Sequence, residues 1–432
     1  MTAEIAILNK GAVALAADSA VTIQIGSGQK IYNTVNKLFT LSKYQPVGAM
    51  VYGNSEFMGV PWESIIKEHR RELGKTVYGT LREYVDGFIA WMATAKFLFS
   101  DALQKQTINA IIRTYFGEIK NLVEQKIASR INAGESVDPG RVLETVTEII
   151  SGQRKHWLEC AQLSTIAQDF EQKFIETHGA EIEEARKSIF QSLPFRPEDA
   201  VLLPHLVAAI FNRDRFTDGA SGLVIAGFGR DEVFPVLIHC LLETITDGVL
   251  KWKQVETATV DQLKNNATII PFAQREMVDT FLSGVDPTFK NTVLQSLEQV
   301  LRTSTNEIFQ AIPSEALPNK SELVKKLSDK IPELIGVFND KLDGYSRRRH
   351  IAPIMNAVAA LPKDELAAMA ESLVNLTSFK RRISTDAETV GGEIDVAVIS
   401  KGDGFVWIKR KHYFDAGRNP HFMAKYYLES TP

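Results

Sequence analysis

Apolar positions along the chain change period four times, and each change predicts a change of element. From Thr2 to Leu8 they alternate, with Ala3, Ile5 and Ile7 on one face and Thr2, Glu4, Ala6 and Leu8 on the other. That two-residue period is a strand signal. Ala12 to Ala17 is a run of small apolar residues ending at Asp18, and Gly26-Ser27-Gly28 carries turn chemistry. Lys37 to Ser42 and Val47 to Tyr52 predict two further strands, with Gly48 and Gly53 marking the second.

From Pro61 the spacing becomes helical. Residues 62–73, 81–99, 106–131, 141–152, 156–178 and 181–193 each place apolar side chains three and four apart, and a last helix of this block runs from Pro197 to Phe211. The turn residues 134–140 and the prolines Pro194 and Pro197 interrupt the block. Strand signals return in SGLVIAGFG, VFPVLIHCLLETI and VLKWKQVE, an antiparallel meander with Gly-Arg-Asp and Thr-Asp-Gly at its turns. Helices resume from Gln274 to Leu376, where Asp286-Pro287 is a start signal. The chain closes with strands in EIDVAVIS and FVWIKRK around the turn Lys401-Gly402-Asp403-Gly404. This order predicts an α+β protein with two antiparallel sheets flanked by helices, strands from both chain ends sharing one core. The implied division is a discontinuous core, 1–60 and 217–432, with enlarged helices over about 287–378, and a helical insertion, 61–216.

Composition narrows the function classes. The 432 residues are 44% hydrophobic and 24% charged with a net charge of −4. That balance fits a globular protein and disfavours a nucleic-acid or membrane surface as partner. The apolar runs fall short of the roughly 20 residues that span a bilayer. The start lacks a basic, apolar leader. The two cysteines, Cys160 and Cys240, form no close pair, so a cytoplasmic protein is expected. Eight scattered histidines make no metal-ligand spacing and no phosphate-binding glycine loop occurs, so neither metal nor cofactor is expected. His239 and Cys240 lie in an apolar strand, which favours packing. The short basic clusters Arg347–His350, Lys380-Arg381-Arg382 and Lys409–His412 fit a solvated face or a subunit contact.

Three early residues suggest chemistry. Thr2 becomes terminal if Met1 is removed, as its small side chain allows. A terminal threonine offers a hydroxyl nucleophile beside an α-amine of ordinary pKa about 8, a base in the same residue. Lys37, in the strand KLFTLS with Phe39 and Leu41, supplies a partly desolvated positive charge, and Asp18 can orient it. Taken singly, each has a plainer reading: an inert start, a turn residue, and a lysine reaching solvent from a strand edge.

Together with GAVALAADSAVT, VNK and VGAMVYGNSEF, these residues resemble the opening of proteasome β subunits and their bacterial relatives, the N-terminal-nucleophile (Ntn) hydrolases. SGLVIAGFGRDEVFPVLIHCLLETITDGVLKWK resembles that family's central hairpin, and VGGEIDVAVISKGDGFVWIKRK its closing turn and strands. The resemblance covers residues 2–58, 219–285 and 379–412, and implies a four-layer αββα sandwich. It implies Thr2 as nucleophile and, through its amine, general base. Lys37 would tune proton transfer, Asp18 would orient Lys37, and the N–H of Gly53 would donate to the oxyanion. The implied reaction is amide cleavage through an ester on Thr2.

The resemblance also implies a peptide or protein substrate, a homo-oligomer, and a separate ATPase that unfolds substrates. It departs at the final Gly-Gly turn, where Gly391 is matched, Asp386 is displaced by one position and Val390 stands where serine is usual. Those departures fit the alternative of a non-catalytic assembly protein that binds partners through its helical insertion.

Overall fold

In a computed structural model, placement is described for residues 3–25, 28–191, 193–263, 265–313, 317, 319–383, 391–412, 414–421 and 424. The chain combines helices with antiparallel sheets and divides into two compact units. One comprises Met1–Leu38, Val233–Pro235 and Thr259–Pro432; the other comprises Phe39–Glu232 and Val236–Ala258.

The first unit holds a five-stranded sheet in the order β12 (Ala267–Ala273), β1 (Ala3–Asn9), β2 (Val13–Ala17), β13 (Asp395–Ser400), β14 (Gly404–Lys409). Ile5 sits opposite Ala16 on one side and Pro271 on the other, and Ala16 opposite Val396. Ile5, Ala14, Ala16 and Val396 pack on Leu366, Ala367, Ala370 and Leu373 of helix α11 (Lys363–Ile383). The alanines are what let helix and sheet approach closely. Ala6, Leu8, Leu15 and Ala397 on the opposite face are buried as well. Burial on both faces explains why β2 reads as an unbroken apolar run. A small hairpin, β3 (Val21–Ile25) and β4 (Gly28–Tyr32), follows β2. Helices α7 (Glu276–Ser283), α8 (Pro287–Ala311), α9 (Lys320–Ser346) and α10 (Ala352–Ala360) complete the unit, with a π-helical turn, Arg347–Ile351, between α9 and α10. Asp286 caps α8 by accepting from Phe289 N at 2.9 Å.

The second unit holds the sheet β11 (Val249–Thr259), β10 (Val236–Thr246), β9 (Ser221–Gly227), β6 (Val47–Gly53), β5 (Leu38–Thr40), with a short pair β7 (Glu56–Phe57) and β8 (Val60–Pro61). One face packs on α1 (Trp62–Leu73) and α2 (Leu81–Thr94) through Val51, Leu223, Ile238, Ile66 and Phe88. Thr80 and Glu83 form a reciprocal cap on α2. Four more helices, α3 (Asp101–Asn132), α4 (Pro139–Leu158), α5 (Phe170–Phe190) and α6 (Pro197–Asn212), bury their own core around Phe116, Ile150, Phe174 and Phe211.

Three local expectations differ from what is observed. The helix expected over 81–99 stops at Thr94, because Ser100 caps α3 by accepting from Leu103 N and Phe99 turns into the core against Phe57. The helix expected over 156–178 breaks after Leu158, where Leu163 N donates instead to Asn212 O. Lys37 lies just before β5 rather than within a strand. The expected turn at Gly26 and Ser27 falls outside the described residues.

Candidate active site

The start of β1, the end of β2 and the approach to β13 converge at one corner of the first sheet. The register sets this: Ala17 sits opposite both Glu4 and Asp395, so Asp18 leaves β2 where β1 and β13 begin. Asp18 is fully buried, and four donors surround its carboxylate. Oδ1 accepts from Ala3 N at 3.1 Å and Lys37 Nζ at 2.5 Å. Oδ2 accepts from Gly391 N at 3.0 Å and Ala20 N at 3.3 Å. Lys37 is 5% exposed, so the ion pair is out of water. A buried carboxylate is tolerable when its lone pairs are filled and a cation stands beside it, and both conditions hold here.

Backbone bonds lock the corner. Asp18 N donates to Ala3 O, Ser19 N to Gly391 O, and Val35 N to Ser19 O. The Ser19 hydroxyl donates to Glu393 O. The segment before Lys37 is thereby tied to the end of β2, which places the ammonium beside Asp18.

The candidate residues therefore divide. Asp18, Lys37 and Gly391 meet within hydrogen-bonding distance. Gly53 ends β6 in the other compact unit, with φ +86 and a Cβ position 2.9 Å from Ala220 O, so only glycine fits there. Thr2, Asp386 and Val390 lie outside the described residues. Sequence reasoning missed Ala20 and Ser19; the polar Asp18-Ser19 step that ends an apolar run was the available signal.

Several other buried or charged groups have internal partners. Lys251, 1% exposed, donates to Glu243 at 2.6 Å and to the carbonyls of Ile210 and Arg215 at 2.6 and 2.5 Å. Burial holds its ammonium below the usual lysine range, an effect the neighbouring Glu243 charge opposes. His239 meets the Tyr52 hydroxyl at 2.6 Å, and burial raises the Cys240 thiol to about 12. Lys380 pairs with Glu276 at 2.5 Å, Lys409 with Glu371 at 2.7 Å, and Lys411 with Asp395, which absorbs much of two basic clusters. Among the described residues no group of acidic, histidine and cysteine side chains could hold a metal ion, and no helix is long and apolar enough to cross a membrane. No protein-family model matches the chain, and no curated protein matches it significantly.

Proposed function

We propose that the chain is a proteasome-like, threonine-type Ntn hydrolase of the αββα class that cleaves peptide bonds in the cytoplasm, with Thr2 as nucleophile after loss of Met1. The supporting observation is the double use of Asp18 Oδ1 by Ala3 N and Lys37 Nζ. Two nitrogens bonded to one oxygen at these lengths lie no more than about 6 Å apart. The Ala3 nitrogen is covalently joined to residue 2, so the carboxylate that anchors the start of β1 also fixes a cation beside it. A cation at that range favours the neutral form of a terminal amine, the form able to accept a proton.

In the proposed reaction Thr2 Oγ attacks the amide carbonyl carbon while its hydrogen passes to the α-amine. The carbon–nitrogen bond then breaks as the amine returns that proton to the leaving nitrogen. Water attacks the resulting ester, giving a proton to the amine, which passes it to Thr2 Oγ as the acid departs. Asp18 and Lys37 act by position and charge. We extend the proposal to a homo-oligomer that receives unfolded substrate from a separate ATPase.

Intact-mass analysis after incubation with a peptide epoxyketone tests this reading. The expected result is a chain beginning at Thr2 that gains one inhibitor mass on that residue, and a Thr2→Ala variant that gains none. Retained Met1, or equal labelling of Thr2→Ala, overturns it and leaves the assembly-protein alternative.

A further inference from the structure

Helices α7, α8 and α9 and the π turn enclose a cavity of about 540 Å³ within the first unit. That volume falls in the range of small-molecule sites, about 300–1,000 Å³. Phe289 and Val293 of α8, Phe338, Leu342 and Tyr345 of α9, and His350 of the π turn contribute to its walls. Four of these six side chains are rings. Phe289 and Tyr345 are 63% and 56% exposed while lining it, so the cavity opens to solvent between aromatic lips.

Specific local features hold this shape. Gly284 closes α7 at φ +75, with its N–H donating to Thr280 O at 2.8 Å. A Cβ there would stand 2.7 Å from the His350 ring, so the imidazole is seated directly against bare backbone. The Ser346 hydroxyl donates to Ser283 O, and Lys290 meets Asp343 at 2.5 Å, which fixes α8 and α7 against α9. The π turn widens the helix by one residue and so sets how Tyr345 and His350 are presented around it. Such turns are rare and occur frequently at functional sites.

The lining also restricts the ligand. Lys290 and Asp343 neutralise each other, and the carboxylate Asp279 is paired with Arg275 at 3.9 Å, so among the described residues no unpaired lysine or arginine lines the cavity. An anionic ligand is disfavoured by that balance, whereas an aromatic one finds rings on several sides. We propose that this cavity binds a neutral, largely apolar aromatic small molecule, held by Phe289, Phe338, Tyr345 and His350, with the imidazole as its polar partner. The proposal does not rest on the hydrolase reading.

N-phenyl-1-naphthylamine, two aromatic groups joined by one N–H, is a probe of this class whose fluorescence rises on leaving water. Titrated into the full chain, it should bind saturably at one site per chain. Val293→Trp fills the cavity from a half-buried position on α8, and should weaken binding about tenfold or more while the circular dichroism is unchanged. The deciding readout needs no substitution. With the probe at about four times its Kd, about 80% of sites are filled, so acylation of His350 by diethyl pyrocarbonate should slow about fivefold. The exposed His156 and His412 should react as before. Absence of saturable binding, or an unprotected His350 at saturation, overturns the proposal whatever the variant does.

Discussion

The carboxylate of Asp18 allows a quantitative test of how the corner is held. Asp18→Asn preserves shape but replaces one acceptor oxygen with a donor. Turned one way, the new amide nitrogen faces Ala3 N and Lys37 Nζ; turned the other, it faces Gly391 N and Ala20 N. Two buried donors are stranded in either case, at about 1–3 kcal/mol each, for a total loss of about 2–6 kcal/mol. Lys37→Met breaks the pair from the other side. Losing one partner of a buried ion pair costs about 3–5 kcal/mol, and the three backbone donors left on Asp18 place this variant at the low end. In the double variant the amide nitrogen can turn toward the vacated lysine position and strand Ala3 N alone. The two effects should therefore fall short of additivity by about 1–2 kcal/mol. Hydrogen exchange of peptides from β1 and β2 reads opening of this sheet directly, apart from the second unit. Single losses below about 1 kcal/mol, or a double variant within about 0.5 kcal/mol of their sum, would refute the reasoning.

Two further predictions concern the second unit, which carries Trp62, Trp91, Trp157 and Trp252 and so dominates tryptophan fluorescence. Burial between Phe88 and Trp91 holds His69 down to about 4. The folded imidazole stays neutral while the unfolded one, with an ordinary pKa of about 6.5, takes up a proton. Stability is therefore intact above pH about 6.5 and falls as pH drops toward 4, by about 3 kcal/mol in total. Urea midpoints at pH 7 and 5 should converge in His69→Leu relative to the parent, and an unchanged pH slope contradicts a buried neutral imidazole. Lys251→Met leaves the half-buried Glu243 with Thr217 as its partner and two carbonyls without their donor, and should lose about 2–4 kcal/mol in the same assay. A midpoint like the parent's would mean that the lysine is not the tie between β10 and the end of α6.

Local pattern carried much of the fold. The small apolar runs of β1 and β2, the meander of β9 to β11 and the Asp-Pro start of α8 are each set by residues within a few positions of one another. The elements that were not legible depend on distant partners. In β12 the run TIIPFA contains Pro271, which argues against a strand, yet β12 is the edge of its sheet and can tolerate a residue without an N–H. The break after Leu158 is fixed by Leu163 bonding to Asn212, some 50 residues away, and by the bridge between Gln162 and Arg213. Nothing within 156–178 encodes that partner.

The site was legible in a different sense. Spacing could nominate Asp18 and Lys37, but their meeting depends on Ser19 holding Val35 and Gly391 by backbone bonds that no side-chain pattern reveals. The observed arrangement then raises a physical question that bears on function. Three backbone N–H groups from β1, the residues after β2 and the approach to β13 already converge on the Asp18 carboxylate. Joining those segments could be done with no charge, because an apolar contact of similar volume is commonly as stable as a buried ion pair. A purely structural joint thus gains little from burying Asp18 and Lys37 together. In the proposed reaction a general-base amine at residue 2 would have a direct use for them: the carboxylate would fix the cation, and the cation would favour the neutral amine. Lys37→Met should therefore slow epoxyketone capture at neutral pH far more than at a pH well above about 8, where the amine is neutral without help. Capture reduced equally at both values would assign the lysine to structure alone.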